Sequence, residues 1–573
     1  MVESEIRKGT RKEILASERG TVRKDWAGRI RIALTYPNHY HVGMSNLGYH
    51  VIYRLLNEHE DIVCERVFLP ENAGSIHGGV RSMESQRPLD NFDIIAFSIS
   101  FENDYPNLLT LLTEAGIPRW SSERNTPHPL VIAGGVTAFL NPEPIAPFVD
   151  CFLIGEAEPV LDTFLDVYRE HSDKAALLKA LAVKVPGIYV PGLYHVDYNS
   201  DGTIAEFRPQ HGVPDRVRRV VAEDLSFWDT CSTILTSQTT FSDTYLVEAA
   251  RGCPHGCRFC AAGFVYRPPR FRAKDALRAS LENAAMHSDR IGLMAAAVSD
   301  VPYVEEICQN ALDKGLQLSF SSLRADRLTP ELMSILRQSG LQTVSIAPDT
   351  GSERLRRVIN KGITEEDVLR AADLLVRAGI PNLKLYFMVG LPTETMSDVE
   401  AIVTLCKQIK HRFLKASRTK KRLGQISVSL NSFIPKPFTP FQWVPFEDMK
   451  ILKTKIKHVK DGLRRVANVR VHTDVPRWAY IQALLSRGDR RTAQVLSDAH
   501  DNNGNWAQTF KASVVNPDFY VYRERLLGEI LPWDFIDHGI NKAFLVEEYN
   551  KALREKTSPP CEVGRCKVCG VCK

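Results

Sequence analysis

Three cysteines lie within eight residues of one another on a loop that is rich in glycine and proline. The stretch reads Arg251-Gly-Cys253-Pro-His-Gly-Cys257-Arg-Phe-Cys260, so the spacing is C-x₃-C-x₂-C. Structural zinc usually takes four ligands from paired knuckles, whereas three close thiolates suit a [4Fe–4S] cube with one iron left open. Phe259 offers an aromatic face on which a base could stack. A structural zinc loop and three unrelated buried thiols are the alternatives.

A second group of cysteines follows near the C-terminal end of the sequence. Cys561, Cys566, Cys569 and Cys572 have the spacing C-x₄-C-x₂-C-x₂-C, with glycines between them that can turn the backbone. Four thiolates this close together predict a metal site. The repeated x₂ spacing is typical of an auxiliary [4Fe–4S] cluster, but four cysteines would also close a structural zinc site. A tail of free thiols is the remaining alternative.

Length and composition describe a folded chain with several domains. At ~150 residues per domain, the 573 residues predict three or four domains. Hydrophobic residues make up 44 % and charged residues 25 %, which excludes disordered, collagen-like and coiled-coil chains. The longest apolar run, about eight residues, is too short for a membrane span, and the polar first residues do not resemble a secretion signal. We therefore expect a cytoplasmic protein without a membrane partner, whose cysteines are thiols or metal ligands.

Alternating apolar runs and amphipathic helical patterns predict an α/β fold with two βα regions. After an N-terminal segment, 1–19, residues 20–170 predict a doubly wound parallel-sheet domain. Residues 171–240 predict an irregular connector that could hold a hairpin. Residues 241–445 predict a partial (β/α)₆ barrel, short of the eight strands of a full barrel. Residues 446–573 predict a mainly helical region that carries the four-cysteine tail.

The strand predictions depend on short apolar runs that are rich in β-branched residues. In the first βα region they begin at Ile30, Ile94, Leu130 and Cys151. In the second they begin at Tyr245, Ile291, Leu316, Thr343, Leu383 and Ile426. Two strands of the first region run into the loops Ala133-Gly-Gly-Val and Gly155-Glu-Ala-Glu. In a doubly wound fold such loops border the ligand crevice.

The C-x₃-C-x-aromatic-C loop after the first strand of a βα array resembles the radical S-adenosylmethionine (SAM) superfamily. In that family the three cysteines, here Cys253, Cys257 and Cys260, ligate a [4Fe–4S] cluster. The resemblance implies that one electron from a flavodoxin or ferredoxin reduces the cluster. SAM is then split into methionine and a 5′-deoxyadenosyl radical, which abstracts a hydrogen from an unreactive carbon.

Seven further positions resemble the SAM contacts of the family. They are Phe259, Ser322, Arg324, Asp349, Thr350, Gly390 and Leu391. Phe259, Gly390 and Leu391 would line the adenosyl site, and the four polar residues would contact the ribose and carboxylate. Serine and threonine at such places are also common helix caps, which is the alternative. The family often has a Gly-Gly-Glu element for the SAM amino group, which this sequence replaces with Met294-Ala-Ala-Ala-Val-Ser-Asp300.

The N-terminal domain resembles the cobalamin-binding-type domain of one branch of the superfamily. The resemblance is carried by the glycine loop at 133–136 and by the segment from Asp150 to Glu158. The Asp-x-His-x-x-Gly segment that usually supplies a histidine to cobalt is missing, so His39 or His41 are the alternatives. Bound cobalamin would imply methyl transfer. A domain that kept the fold and lost the corrin is the other interpretation.

A last resemblance suggests that the substrate is RNA. The segment Phe433-Ile-Pro-Lys-Pro-Phe-Thr-Pro-Phe-Gln-Trp443 is similar to one in methylthiotransferases that modify tRNA or a ribosomal protein, and residues 407–422 are rich in Lys and Arg. A solvated helix face is the default for such charges. Methylthiotransferases also carry three N-terminal cluster cysteines, where this chain has only Cys64 and Cys151. Three functions stay open: cobalamin-dependent methyl transfer, modification such as methylthiolation of RNA or protein, and a metal-stabilised RNA-binding protein without catalysis.

Overall fold

A computed structural model describes residues 11–71, 79–321, 323–417 and 424–572. The N-terminal part is built on a six-stranded sheet of order β2-β1-β3-β4-β5-β6, parallel except for its last strand. Its strands are β1 (Ile30–Tyr36), β2 (Ile62–Phe68), β3 (Ile94–Ser98), β4 (Leu130–Gly134), β5 (Cys151–Leu153) and β6 (Ile188–Tyr189). Its helices are α1 (Arg11–Ser17), α2 (Tyr40–Gly43), α3 (Leu47–Glu58), α4 (Tyr105–Glu114), α5 (Val136–Leu140), α6 (Leu161–Glu170) and α7 (Lys174–Lys184).

The predicted α/β class and the four predicted strands of this sheet are confirmed, and β2 and β6 are additions; β6 lies within the stretch predicted as an irregular connector. The sequence hides β2 because Glu65 and Arg66 interrupt its apolar run, although both side chains are buried. Arg66 lies 2.7 Å from Glu18 and 2.6 Å from Glu84, so its charge is compensated inside the core. A buried ion pair thus replaces the apolar signal on which strand prediction depends.

The connector contains the hairpin of β7 (Tyr194–Tyr198) and β8 (Ile204–Pro209), followed by the short strand β9 (Val217–Arg218). Strand β9 pairs in parallel with β19 (Ile536–Asp537), which lies near the end of the chain. The connector is therefore held by a segment more than 300 residues away.

The second βα region is a partial barrel made of two parallel sheets, β10-β13-β14 and β15-β16-β17-β18. Its strands are β10 (Tyr245–Glu248), β13 (Arg290–Met294), β14 (Gln317–Phe320), β15 (Thr343–Asp349), β16 (Asn382–Val389), β17 (Ile426–Ser432) and β18 (Val469–Thr473). Strands β11 (Ala250–Arg251) and β12 (Arg270–Phe271) form a separate, small antiparallel pair. The six predicted strands are present. Strand β18 extends the barrel sheet by one and was not predicted, because Arg470 and His472 alternate with its apolar residues.

Helices surround the barrel and make up most of the C-terminal region. They are α8 (Ala262–Val265), α9 (Lys274–Ala285), α10 (Val304–Asp313), α11 (Pro330–Gln338), α12 (Glu353–Val358), α13 (Glu365–Arg377), α14 (Met396–Ser417), α15 (Met449–Leu463), α16 (Pro476–Arg487), α17 (Thr492–Asp501), α18 (Trp506–Ala512), α19 (Pro517–Val521) and α20 (Lys542–Leu553). The Asn141 side chain of the N-terminal domain donates to the carbonyls of Ser486 and Gly488, at the end of α16, and α15 packs on strands β16 and β18 of the barrel, so the C-terminal helices contact both βα regions. None of the described helices has the length and apolar character that crossing a bilayer requires.

Candidate functional site

The cysteine loop begins where the first barrel strand ends. Strand β10 leads through β11 into Cys253, and helix α8 starts two residues after Cys260. Cys257 is buried, whereas Cys253 and Cys260 are half-buried. Burial above all, together with the neighbouring Cys260 and Cys253 thiols, raises the pKa of the Cys257 thiol to about 12, although Lys361 opposes this shift. The three predicted ligands are therefore neighbours, and binding a metal would release their protons.

Two cations lie beside Cys257. Lys361 is 2.6 Å from Asp349 in a buried ion pair, and its charge acts on the Cys257 thiol. Arg324 donates to Asp326 at 3.0 Å and to the Lys361 carbonyl at 3.4 Å. Each cation is paired with its own aspartate, and Asp349 opposes the effect of Lys361 on the Cys257 thiol, so only part of this positive charge acts on the cysteines. The sequence analysis identifies Arg324 and Asp349 as candidate SAM contacts but not Lys361, because Lys361 follows helix α12 and belongs to no motif.

The remaining predicted SAM contacts are distributed over the neighbouring strand ends. Thr350 is fully buried, and its hydroxyl has no hydrogen-bond partner within the described residues. Leu391 is buried and Phe259 is packed against the main core. Ser322 lies outside the described residues. The contacts of these residues with SAM stay predictions.

The Gly390 turn is closed by a carboxylate four residues later. The Gly390 N–H donates to Glu394 at 2.7 Å, and Lys455 lies 2.8 Å from Glu394 and 2.6 Å from Glu447. Burial raises the pKa of Glu394 to about 7, although Lys455 opposes this shift. Gly390 has φ +88°, and a Cβ atom there would lie 2.8 Å from the Leu452 side chain, so glycine is required for this turn.

The segment from Met294 to Asp300, which stands where the family often has a Gly-Gly-Glu element, contacts the cysteine loop. Asp300, at its end, lies 2.8 Å from the Nε2 atom of His255, which is inside the loop. Arg327 lies 3.6 Å from the same carboxylate group. Asp300 therefore orients the loop histidine, a role that the sequence motif alone did not indicate.

Arg251 joins the cysteine loop to the N-terminal domain. Its guanidinium lies 3.0 Å from Glu156, 2.9 Å from Glu158 and 2.8 Å from Glu248. Arg270 makes a bidentate contact with Glu156 at 2.7 and 2.8 Å. Burial raises the pKa of Glu156, but Arg270 and Arg251 together hold it below its usual value. The Gly-Glu-Ala-Glu loop of the first domain is therefore fixed two residues before Cys253.

A cavity of about 490 Å³ lies between the two βα regions. Its walls include Asn46, Ser98, Ser100, Gly135, Phe139, Gly155, Glu248, Arg251, Tyr266 and Met294. The predicted crevice loops of the N-terminal domain thus meet the strand ends of the barrel. His39 and His41 are not among the described residues that line it.

A narrow apolar slot of about 120 Å³ continues this cavity into the N-terminal sheet. Residues shared by the slot and the cavity are Ile52, Ser98, Gly135, Gly155 and Ala157. The deeper walls are aliphatic and include Leu34, Ala96 and Ile132. Together they form a broad chamber with an apolar extension.

The tail cysteines lie against the cysteine loop. The backbone N–H of Cys561 donates to the Pro254 carbonyl at 2.7 Å. Cys569 is buried, and Cys561, Cys566 and Cys572 are half-buried. Within the described ranges, no three His, Cys, Asp or Glu side chains are arranged as ligands of one metal ion. A [4Fe–4S] cube takes each thiolate on a different iron, so its cysteines need not converge on one point.

We expect that replacing Arg251 with Met will lower the stability of the protein strongly. Glu158 and Glu248 would keep buried charge without their cation, a loss of about 3–5 kcal/mol for a broken buried pair. The shift of the thermal unfolding midpoint measures the effect. Arg169→Met is the control, because Arg169 pairs with Asp61 at the surface and should contribute below ~1 kcal/mol. Equal shifts in both variants would contradict the role given to Arg251.

Two family models match the regions that contain these features. A family model described as the radical SAM superfamily matches residues 247–406, and a model described as radical SAM proteins, N-terminal, matches residues 48–191. The first covers β10 to α14, including the cysteine loop, and the second covers most of the N-terminal sheet.

Individual relatives agree with both matches. An uncharacterized protein of Methanocaldococcus jannaschii is 32 % identical over 468 residues, which cover 81 % of this chain and 90 % of that protein. An uncharacterized methyltransferase of Pyrococcus horikoshii is 24 % identical over 176 residues, 29 % of this chain and 37 % of that protein. The solved structure of the radical SAM methyltransferase TsrM from Kitasatospora setae shares the fold, with 13 % identity, a TM-score of 0.51, and coverage of 85 % of this chain and 100 % of that chain. The chain therefore belongs to the radical SAM superfamily.

Proposed function

We propose that this protein is a radical SAM methyltransferase that binds cobalamin between its N-terminal domain and its barrel. The observation that carries the proposal is the continuous chamber and slot between the two regions. Cobalamin combines a broad, polar-rimmed corrin ring with an apolar benzimidazole tail. A chamber with a narrow apolar extension matches that combination, and the chamber volume lies in the range of cofactor sites.

The donor set of the cysteine loop fits the cluster that the family implies. Soft thiolates select iron–sulfur clusters, and Cys253, Cys257 and Cys260 are neighbours on one loop. With SAM bound, such a cluster supplies the electron that cleaves SAM reductively. The chain itself holds the loop through Arg258 and His255 and supplies nearby positive charge through Lys361. A reductant such as flavodoxin or ferredoxin belongs to this proposal.

The walls of the chamber support a cofactor that needs both polar and apolar contacts. Asn46, Ser98 and Ser100 offer short polar side chains on the N-terminal side, while the slot walls are aliphatic. When bound, cobalamin supplies a methyl carrier. The TsrM structure, which shares this fold, was solved with cobalamin and a [4Fe–4S] cluster bound, and a second relative is described as a methyltransferase.

A nucleic-acid substrate remains the second candidate, because one observation favours it. Helices α14 and α15 pack side by side and expose Lys407, Lys415, Lys453 and Lys457, which could contact phosphates. RNA could then be methylated or methylthiolated, or bound without catalysis. The segment that suggested the methylthiotransferase resemblance does not add to this surface, because its aromatic residues are buried. They are Phe433, Phe438, Phe441 and Trp443.

Replacing Cys257 with Ala should abolish reductive cleavage of SAM, since a cube bound by only two cysteines would be lost. The measurement is formation of 5′-deoxyadenosine from SAM and a reductant after anaerobic reconstitution with iron and sulfide. Cys308→Ala is the matched control, because Cys308 is also a buried thiol and lies in helix α10. Cleavage that persists in Cys257→Ala would overturn the assignment of the loop.

Replacing Ile132 with Trp should prevent cobalamin binding and leave SAM cleavage in place. Ile132 is half-buried and lines the apolar slot, so the larger ring would fill the space for the tail. Binding is measured from the absorbance of cobalamin that stays with the protein after gel filtration. Val183→Trp makes a similar change on the surface of α7 and should bind as the unchanged protein does. If both variants bind equally, the slot is not the cobalamin site.

A further inference from the structure

We propose that Cys561, Cys566, Cys569 and Cys572 hold a metal centre of their own, which braces the SAM-cluster loop from outside. The centre is separate from the chamber and slot described above. Its ligand class is thiolate, and because no three side chains of the described residues converge on one point, a [4Fe–4S] cluster fits the tail better than zinc does. The proposal depends on where the structure places the tail.

The tail meets the loop at the first cysteine of each group. The Cys561 N–H donates to the carbonyl of Pro254, the residue after Cys253, at 2.7 Å. Standard backbone bond lengths then put the Cα atoms of Cys561 and Cys253 no more than ~11 Å apart. A centre at the tail would therefore lie directly beside the SAM cluster.

Arg258, inside the cysteine loop, ties the same two segments together. Its guanidinium is fully buried and donates to the Lys556 carbonyl at 2.7 Å and to Glu548 at 3.1 Å. It also donates to the Arg357 and Val358 carbonyls at 3.1 and 2.9 Å. Arg258 therefore connects the cysteine loop to the end of helix α12, to helix α20 and to the residues just before the tail.

Asn360 makes a further bridge. Its side-chain amide donates to the Gly256 carbonyl at 3.1 Å, and its side-chain oxygen accepts from the Ser558 N–H at 2.9 Å. The loop is therefore joined to residues 556–561 directly, through Arg258, and through Asn360. Three independent links make the position of the tail a determinant of the position of the loop.

The other side of the tail rests on the start of α20. The Asn541 N–H donates to the Cys569 carbonyl at 2.9 Å, and Cys569 is buried. Arg267 is buried close to Cys561, so a cation faces the group in which four thiolates would concentrate negative charge. Residues 559–572 form turns without a helix or strand. In such a segment, metal ligation would add to the backbone hydrogen bonds of Cys561 and Cys569 and restrain the turns between them.

The first arm of the test asks whether the tail binds metal when the loop cannot. The full-length variant with Cys253, Cys257 and Cys260 all replaced by Ala is reconstituted anaerobically with iron and sulfide, and separately with zinc. We expect about four irons or one zinc per chain, and loss of that metal when Cys569→Ser is added. Iron with sulfide identifies a cluster, and zinc identifies a structural site. A triple variant without bound metal overturns the proposal, whatever the reaction of the enzyme is.

The second arm tests whether the metal centre of the tail stabilises the cysteine loop. In the chain with an intact loop, Cys569→Ser should release the loop iron to a chelator roughly 10-fold faster, as loss of outer-shell support typically weakens metal binding. Cys406→Ala is the control, because Cys406 is buried in α14 far along the chain from both groups. The unfolding midpoint of each variant shows whether the chain is folded. Unchanged iron release in a folded Cys569→Ser variant that lacks the tail metal would overturn the brace.

Discussion

A guanidinium cannot give up its charge when it is buried, and the architecture around the site follows from that constraint at Arg251. Three carboxylates surround it, and they come from both βα regions: Glu156 and Glu158 from the N-terminal crevice loop and Glu248 from the first barrel strand. The chamber wall and the start of the cysteine loop are therefore fixed by one side chain. A rotation of one region against the other would separate Arg251 from Glu156 and Glu158.

The cysteines proposed as cluster ligands are also the residues that a sequence pattern reveals. The cysteine spacing, its position after a strand, and the glycine loops of the first sheet depend only on neighbours along the chain. The buried strand β2 could not be predicted because Glu65 and Arg66 lie in its middle and find their partners elsewhere. Strand β18 could not be predicted because its half-exposed residues alternate with charges.

The side chains that support the site could not be predicted for a related reason. Arg258 stands inside the cysteine motif, but its carboxylate partner, Glu548, is 290 residues later. Lys361 and Asp300 belong to no motif, and only the fold brings them to Cys257 and His255. Sequence spacing reveals the proposed ligands of a metal, whereas the network that holds their loop is a property of tertiary structure.

The long separation between Arg258 and its partners has a consequence for how the protein is made. The cysteine loop is synthesised 290 residues before Glu548 and 298 residues before Lys556, so both partners of Arg258 are still missing when the loop itself has been made. The barrel strands can pair earlier, but the loop reaches its final form only when the last helix docks. Until α20 is in place, the Arg258 guanidinium lacks the carboxylate that compensates its buried charge.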